Sequence, residues 1–206
     1  MFTVYNENDE KYSKVEEPDP SISYTYADYL KWKFEERLEL IKRKIFKMSP
    51  APNRIHQKVC GNLHLVLGSF LKRKECHVFI VPVDVRLPVK NKKKHDEVTT
   101  VVQPDLCIVC DESKLDELGC CGAPDLMIEI LSPGNSKKEV RIKYELYQEA
   151  GVKEYWLINP VEENLIVYIF QQDGKYGVGK MYASGETIST EILPGLKANT
   201  TEFFES

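Results

Sequence analysis

The chain has 206 residues, 42% of them hydrophobic and 29% charged, with a formal net charge of −4. That length allows one domain with a substantial core, and no apolar run approaches the ~20 residues that span a bilayer. A strongly basic, purely electrostatic nucleic-acid binder is excluded by the charge, and the opening "MFTVYNENDEKYSKVEEPDPSIS" lacks the basic-then-apolar order of a signal peptide.

The charge is uneven. Residues 1–20 hold six acids against Lys11 and Lys14, which leaves 26 acids and 26 bases in a neutral remainder. An acidic flexible arm is therefore expected over residues 1–23, followed by a single domain over 24–206. Basic clusters at Lys42–Lys44 with Lys47, Lys72–Lys74, Lys90–Lys94 and Lys137–Lys143 are most simply solvated faces and loops. The six cysteines lie in strand- and helix-like contexts rather than at disulfide-framework spacings, so reduced thiols and a cytoplasmic location are expected.

Thr25 can cap a helix that runs to about Glu36, with Tyr26, Tyr29, Leu30 and Lys33 on one face. "RLELIKRKIFKM" then reads as a hairpin that turns about Lys42–Lys44. Pro50 and Pro52 break the chain, and Asn53 caps a helix to about Lys72 on which Ile55, Val59, Leu63, Val66, Leu67 and Phe70 keep helical period. "HVFIVPVDVRL" reads as a strand, "PVKNKKKHDEV" as a basic loop and "TTVVQPDLCIVC" as the next strand. After the connection "DESKLDELGCCGA" comes the strand "PDLMIEILS". Ser136 and Glu139 form a capping box for a helix that ends at Ala150, with Gly151 beyond it. "KEYWLI" is a strand, and "NLIVYIF" and "KYGVGKMY" pair around Gln172–Gly174. Strand 125–131, helix 136–150 and strand 154–158 make one right-handed parallel β-α-β unit, while the preceding strands, joined by short connections, are antiparallel. The expected fold is thus α/β, a mixed sheet flanked by helices.

Two acids interrupt apolar strands: Asp105 in "QPDLCIVC" and Glu129 in "APDLMIEILS". A buried lone carboxylate costs several kcal/mol unless it finds a proton, a cation or donors. If their strands pair antiparallel about a midpoint near residue 117, Asp105 stands opposite Glu129, ~5 Å apart at Cβ. Such a pair repels unless something positive lies between, and a divalent metal with oxygen ligands suits it. Asp125 lies ~13 Å along the strand from Glu129 and reads as a strand-entry residue. Glu139, Lys143 and Tyr147 share a face of the following helix, beside the apolar stripe Ile142, Leu146 and Ala150, so Lys143 can fold back over the carboxylates. The plainer alternative for Lys143 is a snorkelling lysine at an amphipathic edge.

With those residues in view, "QPDLCIVC", "GAPDLMIEILSPGNS" and "KYELYQEAGVKEYWLINP" resemble the Uma-type endonucleases, a branch of the PD-(D/E)XK restriction-endonuclease-like superfamily. The likeness takes in "RLELIKRKIFKMSPAPNRIHQ" and "ISTEILPGLKANTTEFF", and so runs from about Thr25 to Phe204. It implies a restriction-endonuclease-like core and Mg²⁺-dependent phosphodiester hydrolysis, with Mn²⁺ as a substitute. By position Asp105 matches the motif aspartate and Glu129 the motif Asp/Glu. The superfamily's lysine, usually two residues after that acid, is replaced there by Leu131; Lys143 matches the lysine this branch carries on the next helix. Glu39 matches the acid of the first hairpin, a further metal or water ligand. The chain departs from the pattern in turning that hairpin through Lys42-Arg43 rather than Asp-Gly, and in opening the helix with Glu139 in place of an aspartate.

The leading expectation is an endonuclease in which Asp105, Glu129 and the Ile130 carbonyl hold Mg²⁺, Lys143 stabilises the anionic transition state, and Lys42–Lys44 and Lys90–Lys94 touch the DNA backbone. Cutting both strands of a duplex would favour a homodimer. The alternative is a catalytically silent DNA-binding or assembly module on the same fold. A zinc site from "CIVC" and Cys120–Cys121 is disfavoured, because Cys107 and Cys110 would point to opposite faces of a strand. His56, near the start of its helix, either reaches the acidic site or stays on the helix surface.

Overall fold

The computed structural model describes residues 2–6, 11–15, 21–32, 37–48, 53–87, 94–132 and 137–205. The Ser136 cap, Pro50, Pro52, Lys90–Lys93 and residues 33–36 lie outside them. The chain forms two compact units, one from residues 1–48 and 86–102 and the other from 49–85 and 103–206. Among the described residues no helix is long and apolar enough to cross a membrane.

In the first unit, Phe2–Asn6 pairs antiparallel with Lys11–Val15 inside the acidic segment. Strand Leu38–Ile41 lies between Lys44–Lys47 and Val101–Val102. The first helix is shorter than expected. Thr25 donates from its amide and hydroxyl to Asp28 at 2.9 and 2.8 Å, but the helix covers only Tyr26–Tyr29. Aromatic packing competes with helical continuation: Trp32 meets the Tyr24 and Tyr29 rings edge-on, at centroid distances of 5.0 and 5.9 Å. The hairpin turn takes φ of 49° at Lys42 and 69° at Arg43, the left-handed pair that Asn-Gly or Asp-Gly normally supplies. Tertiary bonds hold it there, from Arg43 N–H to the Thr99 carbonyl at 2.8 Å and from Tyr24 N–H to the Arg43 carbonyl at 3.0 Å.

The second unit is built on a six-stranded mixed sheet. Its strand order is Lys180–Ala183, Asn164–Ile169, Glu154–Asn159, Leu126–Ile130, Leu106–Val109, His77–Ile80. Only Leu126–Ile130 and Glu154–Asn159 are parallel, joined by helix Lys137–Ala150 as the β-α-β pattern requires. Two expected strands are broken. "HVFIVPVDVRL" yields His77–Ile80 and Val85–Arg86, and "TTVVQPDLCIVC" yields Val101–Val102 and Leu106–Val109. Pro82 and Pro104 lack the N–H a continuous ladder needs, and each break falls close to a boundary between the units. The connection 111–122 also contains a small hairpin, Leu115–Asp116 with Gly119–Cys121.

Strand alternation sorts the core. One face sets Leu106, Ile108, Leu126, Ile128, Trp156 and Ile158 against Val59, Leu63 and Leu67 of helix Arg54–Leu71 and against Phe203. The other carries Met127, Glu129, Tyr155 and Leu157 under the Lys143 helix. Glu154, on the first face, accepts from Trp156 Nε1 at 2.6 Å and Thr190 Oγ1 at 2.5 Å, and burial raises its pKa against the pull of those bonds.

The expectation of six free thiols fails at one pair. Cys76 and Cys110 are disulfide-bonded with Cα atoms 4.0 Å apart. They continue the register of His77 opposite Val109, which only the paired strands reveal. Cys107 remains a free thiol whose pKa burial raises.

Gly119 makes the strongest backbone demand in this unit. Its φ is +115°, and a Cβ there would come within 2.4 Å of the Asp84 carbonyl oxygen, which accepts from Cys120 N–H at 2.9 Å. Gly119→Ala is expected to lower stability by about 2–4 kcal/mol, read as a shifted urea midpoint. An unchanged midpoint would show that the hairpin can leave Asp84 at no cost.

Candidate active site

Asp105 stands at the entry to strand Leu106–Val109, after Pro104. Its backbone is tied down by Val81 N–H donating to the Asp105 carbonyl at 3.0 Å. Leu126, Met127 and Ile128 pair with Ile108, Cys107 and Leu106, so paired residue numbers sum to 234. Continuing that register sets Asp105 opposite Glu129 on the face that carries helix Lys137–Ala150. This is the register the connection midpoint predicts.

Each carboxylate is gripped by a different part of the unit. Asp105 Oδ2 accepts from the Ile130 amide at 2.8 Å and lies 3.2 Å from His56 Nε2. A carboxylate only accepts, so the imidazole proton facing it sits on Nε2. His56 is fixed by the helix start, where Asn53 accepts from the His56 amide at 2.9 Å. Its Nδ1 is buried without a hydrogen-bond partner among the described residues. The Asp105 charge, together with the larger effect of burial, pushes the nearby Cys60 thiol up to about 12.

Glu129 Oε1 accepts from Lys143 Nζ at 3.0 Å and from the Tyr147 hydroxyl. Lys143 and Tyr147 are one helical turn apart, and both are buried with Leu146. A lysine only 6% exposed is costly unless paired, and Glu129 is its partner. The Lys143 ammonium also lies 5.9 Å from the Tyr147 ring centroid. The side chains of Asp105 and Glu129 keep 15% and 18% of their surface exposed, so the pair remains open to a small ligand.

The structure thus ties Asp105 to the Ile130 amide beside Glu129, ties Lys143 to Glu129 and brings His56 to Asp105. Glu39 belongs to the first unit, buried in strand Leu38–Ile41 opposite Phe46. Asp125 is a strand-entry clamp: buried, it accepts from Cys110 N–H at 2.8 Å and from Lys153 Nζ at 2.6 Å. Tyr147, read from the sequence only as a companion of Lys143 on its face, contributes a hydroxyl to Glu129. Its signal was the i+4 spacing. Among the described residues no group of three or more His, Cys, Asp or Glu side chains converges in a metal-holding arrangement.

The donor set nonetheless fits a hard divalent cation. Both hydrogen bonds to the Asp105 carboxylate use Oδ2, which leaves Oδ1 without a partner among the described residues. Two facing carboxylates and a backbone carbonyl are the oxygen ligands that Mg²⁺ takes, completed by water.

Residues 26–201 match the sequence profile of the Uma2 family, described as "Putative restriction endonuclease". The fold is similar to a crystal structure described as "a putative nuclease belonging to DUF820 from Anabaena variabilis ATCC 29413". That likeness has a TM-score of 0.68 and 22% sequence identity, covering 88% of this chain and 97% of the other. No curated protein matches the chain.

Proposed function

The chain belongs to the Uma2 family, and on that premise we propose that it is a Mg²⁺-dependent endonuclease hydrolysing phosphodiester bonds in DNA at the Asp105–Glu129 pair. Family membership supports a nuclease role with a nucleic-acid substrate. The observation that carries the finer reading is that Asp105 accepts from the amide of Ile130, the residue next to Glu129, whose own carboxylate is clamped by a buried lysine.

Asp105, Glu129 and the Ile130 carbonyl would hold the cation. Mg²⁺, or Mn²⁺ in its place, supplies Lewis acidity that activates water and neutralises charge on the phosphate. His56 and the Ile130 amide orient Asp105 by taking Oδ2, which would leave Oδ1 to the cation. Tyr147 and Lys143 orient Glu129 in the same way. The Lys143 ammonium can shift from Glu129 toward the phosphate and stabilise the negative charge that develops there.

Incubating the chain with supercoiled and linear DNA in EDTA, Mg²⁺ and Mn²⁺ tests this reading, alongside thermal melts under the same conditions. Cation-dependent nicking and a rise in Tm with cation concentration are expected. A chain that neither cuts DNA nor gains stability with either cation is not this enzyme.

A further inference from the structure

A cavity of about 370 Å³ opens on the same side of the sheet as Glu129, lined by Lys137, Arg141, Tyr144, Tyr155, Leu157 and Tyr168. That volume falls within the ~300–1,000 Å³ of small-ligand sites. Leu157 is the in-register neighbour of Glu129 on the parallel strand, one strand spacing of ~4.8 Å away, so the cavity adjoins the carboxylate pair.

Its lining has two chemistries. Tyr144 and Tyr168 meet edge to face at 4.9 Å between centroids, and Tyr168 stacks with Tyr155 at 5.8 Å and 20°. Tyr155 is buried at the floor of this cluster. Above these rings Lys137 and Arg141 stand one helical turn apart on the Lys143 helix, both exposed. Among the described residues Arg141 pairs with the exposed Glu145, at 2.7 Å, and surface pairs of that kind exchange readily for a phosphate.

We propose that this cavity is a nucleobase pocket, taking one unpaired base of a single-stranded or frayed segment beside the scissile phosphate, with Lys137 and Arg141 on the flanking phosphates. Aromatic faces bind any base by stacking, and cations that track the backbone complete the usual chemistry of single-strand recognition. An anionic peptide would use the two cations but leave the aromatic floor unused. The pocket's relation to a cleavage point rests on the nuclease reading; its affinity for a base does not.

Binding is therefore measured in EDTA, with the full chain and a single strand of about 12 nucleotides carrying one 2-aminopurine. The strand is made as DNA and as RNA, and compared with the blunt DNA duplex. The single strand should bind more tightly than the duplex, with the 2-aminopurine emission quenched by stacking. Tyr144→Ala should weaken binding about tenfold and relieve the quenching. Arg141→Gln, at an exposed position that does not threaten folding, should weaken binding and lower the salt slope by about one. Quenched binding that these variants weaken upholds the pocket even if no cation-dependent cutting is found, in which case only the nuclease reading falls. Single-strand binding that both variants leave unchanged, or binding without quenching, overturns the pocket even in an active nuclease.

Discussion

Lys143→Met is expected to slow DNA cleavage by about 10²–10³-fold, the usual cost of removing one electrostatic stabiliser from a preorganised site. Methionine keeps the apolar stem beside Leu146 and removes the ammonium 3.0 Å from Glu129. The Glu129 carboxylate keeps the Tyr147 hydroxyl and its partial exposure, so the stability loss without cation should be about 1–3 kcal/mol rather than the full cost of an orphaned buried charge. Added Mn²⁺ should then restore more stability to the variant than it adds to the wild type, because no side-chain cation competes for the carboxylate. Paired melts and cleavage time courses separate the two effects. A variant that cuts at the wild-type rate would make Lys143 a structural counter-ion.

Asp105→Asn should cost less stability than Lys143→Met and act more severely on activity. The asparagine oxygen can still accept from the Ile130 amide and from His56, and the repulsion between facing carboxylates disappears. Stability without cation is therefore expected within about 1 kcal/mol of the wild type. What disappears is the ligand: the cation-dependent gain, ~2.7 kcal/mol at a hundredfold excess over Kd, should vanish, and cleavage should fall by about 10³-fold or more. A Mn²⁺ titration that raises the Tm of Asp105→Asn as it does the wild type would remove Asp105 from the ligand set.

Much of this site was legible in the linear sequence, for reasons that can be located. An acid inside an apolar strand is costly enough to need a cause, and a short connection between two strands limits their register. The register of the strands that carry Asp105 and Glu129 could be read from those facts alone. Helical spacing placed Lys143 and Tyr147 on one face, and the β-α-β order brought that face over the strand.

Other features needed the folded chain. The approach of His56 to Asp105 is made by packing a helix from far away in the sequence against the sheet, and no local pattern encodes that distance. The Cys76–Cys110 bond is of the same kind, since neither cysteine shows its partner until His77 pairs with Val109. The first helix covers only four residues, where periodicity favoured about eleven, and Trp32 packs on Tyr24 and Tyr29 instead.

What the sequence determined by itself is the order of elements, the alternation that assigns each strand residue a face, and the chemistry available on each face. Only the tertiary structure decided which partners satisfy Asp105 and Glu129, where Pro82 and Pro104 divide the expected strands, and that Tyr144, Tyr155 and Tyr168 line one open pocket. The physical reason is one of range. Periodicity and capping act over a few residues, whereas ion pairing, disulfide bonding and cavity formation depend on side-chain distances that chain packing alone sets.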